Sequence, residues 1–301
     1  FPPDLNRTAE FLCKGGISVR IKIYQIDYDK DEKSVKFMPL EYADKHGGID
    51  PSSYKTVFYG DVEAKNLEDI FRIFNTDEIP GTHQGHSLSV SDIVEVLDDV
   101  PELVGRIGFL HTDGSVGYTV DYTDSAEYNQ EIADSHECGR PITATRLTDQ
   151  HVPAVDKGCY YCDAIGFEKV DFDSSQCAGM EGMRALFVSP HHKPVEIRIP
   201  DGLKPMQRAI EGMIEIVAPF EDRSALLVCN EEAKLIGMEG NRRLENDVIA
   251  GPFFLVCDDG EGGTTDLTDD QVARFTRRFA ESEEISKEEI EDHTGFTFIP
   301  L

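Results

Sequence analysis

Basic residues are scarce in this 301-residue chain: 29 Lys and Arg stand against 58 Asp and Glu, a formal net charge of -29. That balance excludes a general affinity for nucleic-acid backbone or for an anionic membrane surface. Long hydrophobic runs are also lacking. The longest have five residues, as in Phe253-Phe-Leu-Val-Cys257, against the ~20 that a membrane-spanning helix needs. The N-terminus, Phe1-Pro-Pro-Asp4, has neither the basic nor the apolar region of a secretion signal. Phe1 in place of an initiator methionine points to a trimmed or processed chain. The seven cysteines, Cys13, Cys138, Cys159, Cys162, Cys177, Cys229 and Cys257, are odd in number and scattered. They do not make a disulfide framework, and a reducing cytoplasm is the expected location.

Motifs for common cofactors fail on inspection. Asp27, Asp29 and Asp31 have the spacing of a calcium loop, but Glu32 stands where glycine is needed and Met38 where the bidentate glutamate belongs. Gly260-Glu-Gly-Gly263 has no following Lys-Ser/Thr, so it is not a phosphate loop. No cofactor is expected.

What is present is an ordinary globular composition, 40% hydrophobic and 29% charged, at a length suited to two domains. Ile17, Val19, Ile21, Ile23 and Gln25 alternate with Arg20, Lys22 and Tyr24, the pattern of a half-buried strand. Further strands are expected at 35–38, 55–59, 87–96 and 160–170, with a helix over 66–74 capped by Asn66. Residues 98–157 read as an insertion, with a hairpin near 112–115 and a short helix near 126–133. After a linker at 173–182, strands at 185–188 and 194–199, a helix at 204–213, and strands at 215–217 and 225–229 give a ββαββ order compatible with a grasp-like unit. Another strand is expected at 248–256. Thr268 with Gln271 and Ser286 with Glu289 form capping boxes that start helices over 269–281 and 287–293. The fold class is therefore α+β, two domains at 17–172 and 183–301 after an N-terminal extension at 1–16, each with a mostly antiparallel sheet and packed helices.

Several stretches resemble a known family. Ile23-Tyr-Gln-Ile26, Leu67 to Asn75, the run containing Gly85, His86, Ser87, Ser89, Ser91 and Asp92, and the run containing Cys162, Asp163, Gly166 and Phe167 are together similar to the YodL-like domain. The resemblance covers 17–172 and departs from the family at the 98–157 insertion. The second half resembles a small domain of unknown function, through Leu227 to Gly237 with Asn230, through Asn241 and Arg242, and through Ile249 to Leu255. Both domains are typical of large polyvalent proteins of Firmicutes conjugative elements and phages. The resemblance implies an accessory role without an assigned activity. One YodL-type protein interferes with cell shape through the actin-like cytoskeleton, which gives the family a class of partner.

Three constellations carry candidate chemistry. His83-x-x-His86 with Asp92 has the residue types of a metal or hydrolytic site, and equally those of a polar loop entering a strand. His86 and Ser87, adjacent in an expected strand, would point to opposite faces and miss each other. Cys159-x-x-Cys162, with His136 and Cys138, has roughly the spacing of a zinc ribbon, but a strand would split the two thiols, so no metal is expected. The third constellation is charge. Residues 73–139 hold 14 acids and one base, Arg106. Such a surface either solubilises the protein or serves as a contact for a basic host or defence protein, one version being a DNA mimic. The expected contact centres on Asp92, Glu95, Asp98, Asp99 and Glu102, with no direct nucleic-acid or membrane partner.

Overall fold

A computed structural model describes residues 18–100, 104–111, 116–122, 126, 128–130, 132–133, 142–148, 155–244 and 247–293. The first domain contributes β1 (Ser18–Ile26), α1 (Leu40–Lys45), β2 (Tyr54–Glu63), α2 (Leu67–Ile73) and β3 (Ile93–Val96). An inserted unit follows: β4 (Gly105–His111), β5 (Val116–Tyr122) and β6 (Ile142–Thr148). The chain then returns as β7 (Gly158–Cys162) and β8 (Phe167–Val170).

The main sheet is antiparallel in the order β2-β1-β3-β7-β8. The strands on either side of the insertion are thus direct neighbours, Ile93 opposite Tyr161 and Val96 opposite Gly158. The insertion forms its own sheet, β5-β4-β6, around Ile107, Phe109, Val120 and Tyr128. Helix α2 covers one face of the main sheet, where Ile70 and Phe74 meet Ile21, Ile23 and Val94. The Asn66 side chain accepts the Asp69 N–H at 2.8 Å and caps that helix.

The other face is covered by the segment running from β1 through α1, so Tyr24 is buried among Tyr54, Ile93 and Phe172. This corrects the half-buried reading of β1, whose last four residues are all buried. It also corrects the strand expected at 35–38. There the Asp31 carboxylate accepts the Val35 and Lys36 N–H groups at 2.9 and 3.0 Å, and Ser34 and Phe37 take positive φ. A side chain that captures main-chain donors competes with a ladder. Likewise only 93–96 of the strand expected over 87–96 is extended ladder. The 160–170 stretch is two strands closed by a turn in which Gly166 has φ +75°.

The second domain holds β9 (Met183–Val188), β10 (Val195–Ile199), α3 (Leu203–Ala209), β11 (Ile214–Val217) and β12 (Ala225–Asn230). A hairpin of β13 (Gly240–Leu244) and β14 (Asp247–Ala250) precedes β15 (Phe253–Asp258), the short β16 (Thr264–Thr265), α4 (Asp269–Arg278) and α5 (Lys287–Asp292). The expected strand at 248–256 is therefore two, broken at Gly251 with φ +69°. Sheet order is β10-β9-β15-β12-β11, all antiparallel. Helix α3 lies on one face with Ala185, Ile197 and Phe254, and α4 on the other with Leu186, Leu227 and Phe253. Thr268 and Gln271 complete the expected capping box.

The two domains touch through the first domain's Pro80–His86 loop. The Gln84 amide donates to Arg198 O at 2.6 Å and Glu181 O at 3.1 Å, and accepts the Glu181 N–H. Tyr59 packs against the second core. Gly81 comes so close that a Cβ there would sit 1.8 Å from the Arg208 carbonyl oxygen. Gly81→Val is therefore expected to weaken the docking by about 2 kcal/mol. Calorimetry should then resolve two melting transitions where the wild type shows one.

Candidate functional site

The expected His/Asp region is built by a strand irregularity. The β1–β2 register slips between Ile23 and Tyr24, leaving Val57 as the extra residue on β2. The Val57 carbonyl accepts the Gln84 N–H at 2.8 Å and so holds the Pro80–His86 loop against the sheet. Gln25 reaches into that loop. Its Oε1 accepts the His86 N–H at 3.0 Å, and its Nε2 donates to His86 O at 2.8 Å and to Asp92 Oδ2 at 3.0 Å. Gly85 makes room, since a Cβ there would lie 2.1 Å from Gln25 Oε1.

Asp92 is completely buried. Its Oδ2 also accepts the Ser89 N–H at 2.8 Å, while Oδ1 has no hydrogen-bond partner among the described residues. Burial pushes the Asp92 carboxyl up to about 8, against the pull of the Ser89 and Gln25 donors. The next turn is fixed by Ser91 at φ +79°, whose Oγ accepts the Phe37 N–H at 2.9 Å and whose carbonyl accepts the Tyr54 hydroxyl at 3.0 Å.

His86 Nδ1 lies 2.7 Å from Ser87 O and 3.1 Å from Gln25 Nε2, and its ring packs on Phe37 at 5.3 Å. Its Nε2 is buried and has no hydrogen-bond partner among the described residues. His83 goes elsewhere. It is buried between Phe74 and Phe58, at 5.3 and 6.5 Å, and burial lowers its pKa to about 4. The two histidines therefore do not share a ligand position, and among the described residues no three His, Cys, Asp or Glu side chains gather as metal ligands. Cys159 and Cys162 are buried free thiols on β7, pushed by burial to about 11 and 12. His136 and Cys138 lie outside the described residues.

A cleft of about 280 Å³ opens beside His86, lined also by Gln25, Tyr28, Lys36 and Lys55. The two lysines were not singled out from the sequence. Gln25 carried the one usable signal, a polar residue at the end of an apolar alternation.

Residues 20–113 match the family model of the YodL-like domain, and residues 183–280 that of a domain of unknown function, DUF3846. The chain carries a YodL-like domain followed by a DUF3846 domain. No curated protein and no solved structure matches it. The YodL-like match stops before β7 and β8, although these complete the same sheet.

Most motif residues of the YodL-like domain secure its loops. Asp163 accepts the Leu40 N–H at 3.2 Å and starts the β7–β8 turn that Gly166 closes; Phe167 packs on Phe71. In the DUF3846 domain, Asn230 bonds Glu211 O and the Glu232 N–H, and Asn241 bonds Val188 O and Gly251 O. Arg242 is fully buried and donates to the carbonyls of His192, Asn241 and Phe279.

The acidic contact proposed from sequence separates into unlike parts. Asp92 is interior and is no part of a surface. Glu95 is half-buried and accepts the Tyr24 hydroxyl. Asp98 and Asp99 are exposed beside Lys157, whose N–H bonds Asp99 at 3.1 Å and whose ammonium is 3.9 Å from Asp98. Glu102 lies outside the described residues. No described helix is long and apolar enough to cross a membrane.

Proposed function

We propose that this chain is a non-enzymatic accessory protein of a mobile genetic element that binds a basic host or defence protein in the cytoplasm. The observation that carries the reading is the net charge of -29. It is combined with two domains whose families carry no assigned activity. Asp98 and Asp99, at the end of β3 and exposed, mark the described part of the contact. The reading as an acidic DNA mimic is one form of this proposal: rigidly held carboxylates can stand in for phosphates in a DNA-binding groove. A metal-dependent or hydrolytic enzyme would need His83, His86 and Asp92 to converge. His83 instead faces two phenylalanines, and Asp92 is closed off from any substrate.

Association driven by such a field is fast at low salt and slows as the screening length shortens from about 8 Å at physiological ionic strength. Reversing Asp98 and Asp99 to lysine is expected to slow capture of a partner about tenfold at low salt. Exposed charges contribute little to folding, so the melting temperature should hardly change. The test is affinity capture from host lysate at two salt concentrations with both proteins. Equal recovery of the same partner under all four conditions would leave the acidic surface as a solubilising feature only.

A further inference from the structure

The sheet of the DUF3846 domain ends at β11, which has β12 on one side and no strand on the other among the described residues. In the first domain the β2 edge is closed. There Ala178 donates to Tyr54 O at 2.9 Å and accepts the Thr56 N–H at 2.8 Å. Nothing comparable covers β11 among the described residues.

The register decides which main-chain groups of β11 face outward. The Glu231 N–H donates to Met213 O at 2.9 Å, and from there Ile214 stands opposite Asn230 and Ile216 opposite Val228 without a shift. In an antiparallel ladder, pairs that exchange hydrogen bonds alternate with pairs that do not. Glu215 and Val217 therefore bond β12, while the N–H and C=O groups of Ile214 and Ile216 turn away from it. Those outward groups have no hydrogen-bond partner among the described residues.

The side chains around this edge are apolar. Met213 and Ile216 are 52% and 45% exposed, and Leu235 and Ile236, in the turn after β12, are 61% and 59% exposed. Ile214 reaches the core beneath α3, and Ile216 lies on the same face two residues on. Large apolar side chains gathered at a surface mark a place of interaction. Acids frame them. Glu211, Glu215, Glu231 and Glu232 are exposed and form no ion pair among the described residues. Lys234 is committed to Asp247, and Lys204 stands in the first turn of α3. The frame is fixed in advance. The Asn230 amide donates to Glu211 O at 3.1 Å, its Oδ1 accepts the Glu232 N–H at 2.9 Å, and Glu231 is tied to Met213. A preorganised edge loses little entropy on binding.

We propose that the outer edge of β11 takes up an extended segment of a partner protein as an added strand, a segment that alternates apolar residues with lysine or arginine. The main-chain groups of Ile214 and Ile216 supply the ladder. Their side chains meet the apolar residues of the segment, and Glu215, on the opposite face, meets the basic ones. A second copy of this chain is a poor occupant. Each copy carries a net charge of -29, and pairing the edge with itself brings Glu215 close to its own counterpart. This contact lies in the other domain from Asp98 and Asp99 and does not depend on the contact proposed there.

The test follows the amide signals of the full chain with a capped synthetic peptide of alternating valine and lysine. In the free protein the Ile214 and Ile216 amides should exchange rapidly with solvent, and saturating peptide should slow them about tenfold or more. A peptide with glutamate in place of lysine should bind about tenfold more weakly, and Glu215→Lys should weaken the lysine peptide by a similar factor. N-methylation of the peptide on the residues facing β11 should abolish binding, and on the alternate residues should leave it. The protein carrying Asp98→Lys and Asp99→Lys should bind the peptide as the wild type does, which separates failure at this edge from failure at the acidic contact. Ile214 and Ile216 amides already protected in the free chain would mean that the edge is taken by this chain itself or by a second copy, and the proposal would fall. It would fall equally if the peptide gave no saturable change, or if the glutamate peptide or both N-methylated peptides bound as well as the original.

Discussion

Replacing Arg242 by alanine is expected to cost the DUF3846 domain about 4 kcal/mol, a large part of the total stability of an ordinary domain. The guanidinium is fully buried and, among the described residues, has no carboxylate in contact. It is solvated instead by His192 O at 2.7 Å, by Asn241 O and Oδ1 at 2.9 Å, and by Phe279 O at 3.0 Å. Burial draws its pKa below the ordinary arginine value, yet a guanidinium stays charged in a protein. Truncation strands these acceptors in the interior and leaves a cavity among the largest side chains of the core. It also releases the end of α4, since Phe279 is the C-cap of that helix. Arg242→Lys should recover only part of the loss, because a lysine cannot form the planar fork that reaches three carbonyls. Thermal denaturation followed by circular dichroism gives the comparison. An alanine variant melting within a degree or so of the wild type would mean that water replaces the guanidinium without penalty.

The second large effect is a dependence of the YodL-like domain on pH. Asp92 has its folded pKa raised to about 8, well above the ordinary value of about 4 for an unfolded aspartate. Between those values the folded state holds a proton that the unfolded state has lost. Stability therefore falls as pH rises through this window, by at most about 1.4 kcal/mol per pH unit, and levels off above the folded pKa. His83, held near 4 by burial, acts in the opposite sense and only below the unfolded histidine value of about 6.5. His86 and His192 are also lowered, and oppose in the same way. From about pH 6.5 to 8 the Asp92 contribution is no longer offset by these histidines, and a loss of about 2 kcal/mol is expected. Asp92→Asn keeps an oxygen for the Ser89 and Gln25 donors and carries no charge. Its stability should be nearly level over the same window. A wild type equally level in urea unfolding at pH 6.5 and 8 would show that Asp92 is ionised in the folded protein.

The elements that could be read from the sequence are those whose information is local. The caps at Asn66, Thr268 and Ser286 satisfy helix donors within three residues, so they were legible without tertiary context. The alternation in β1 was legible up to Ile23. Misreadings arose where side chains compete with the ladder. Asp31 captures the 35–36 backbone, and Asp92 and Gln25 capture the 86–89 backbone. Each turns a stretch with strand-like alternation into a loop.

The candidate site divides along the same line. Composition alone determined the acidity of this protein, and local hydrophobic period its α+β class, because charge count and period need no knowledge of neighbours. Only the tertiary structure decided which acids reach solvent. Asp92 and Asp98 are equivalent in composition, yet one is sealed beneath Gln25 and the other is exposed just beyond β3, 3.9 Å from the Lys157 ammonium. Only the tertiary structure brought Lys36 and Lys55 to His86, across a bulge at Val57 that no local pattern announces. A strand register depends on pairing between residues about thirty positions apart, and burial depends on which segment closes over a face.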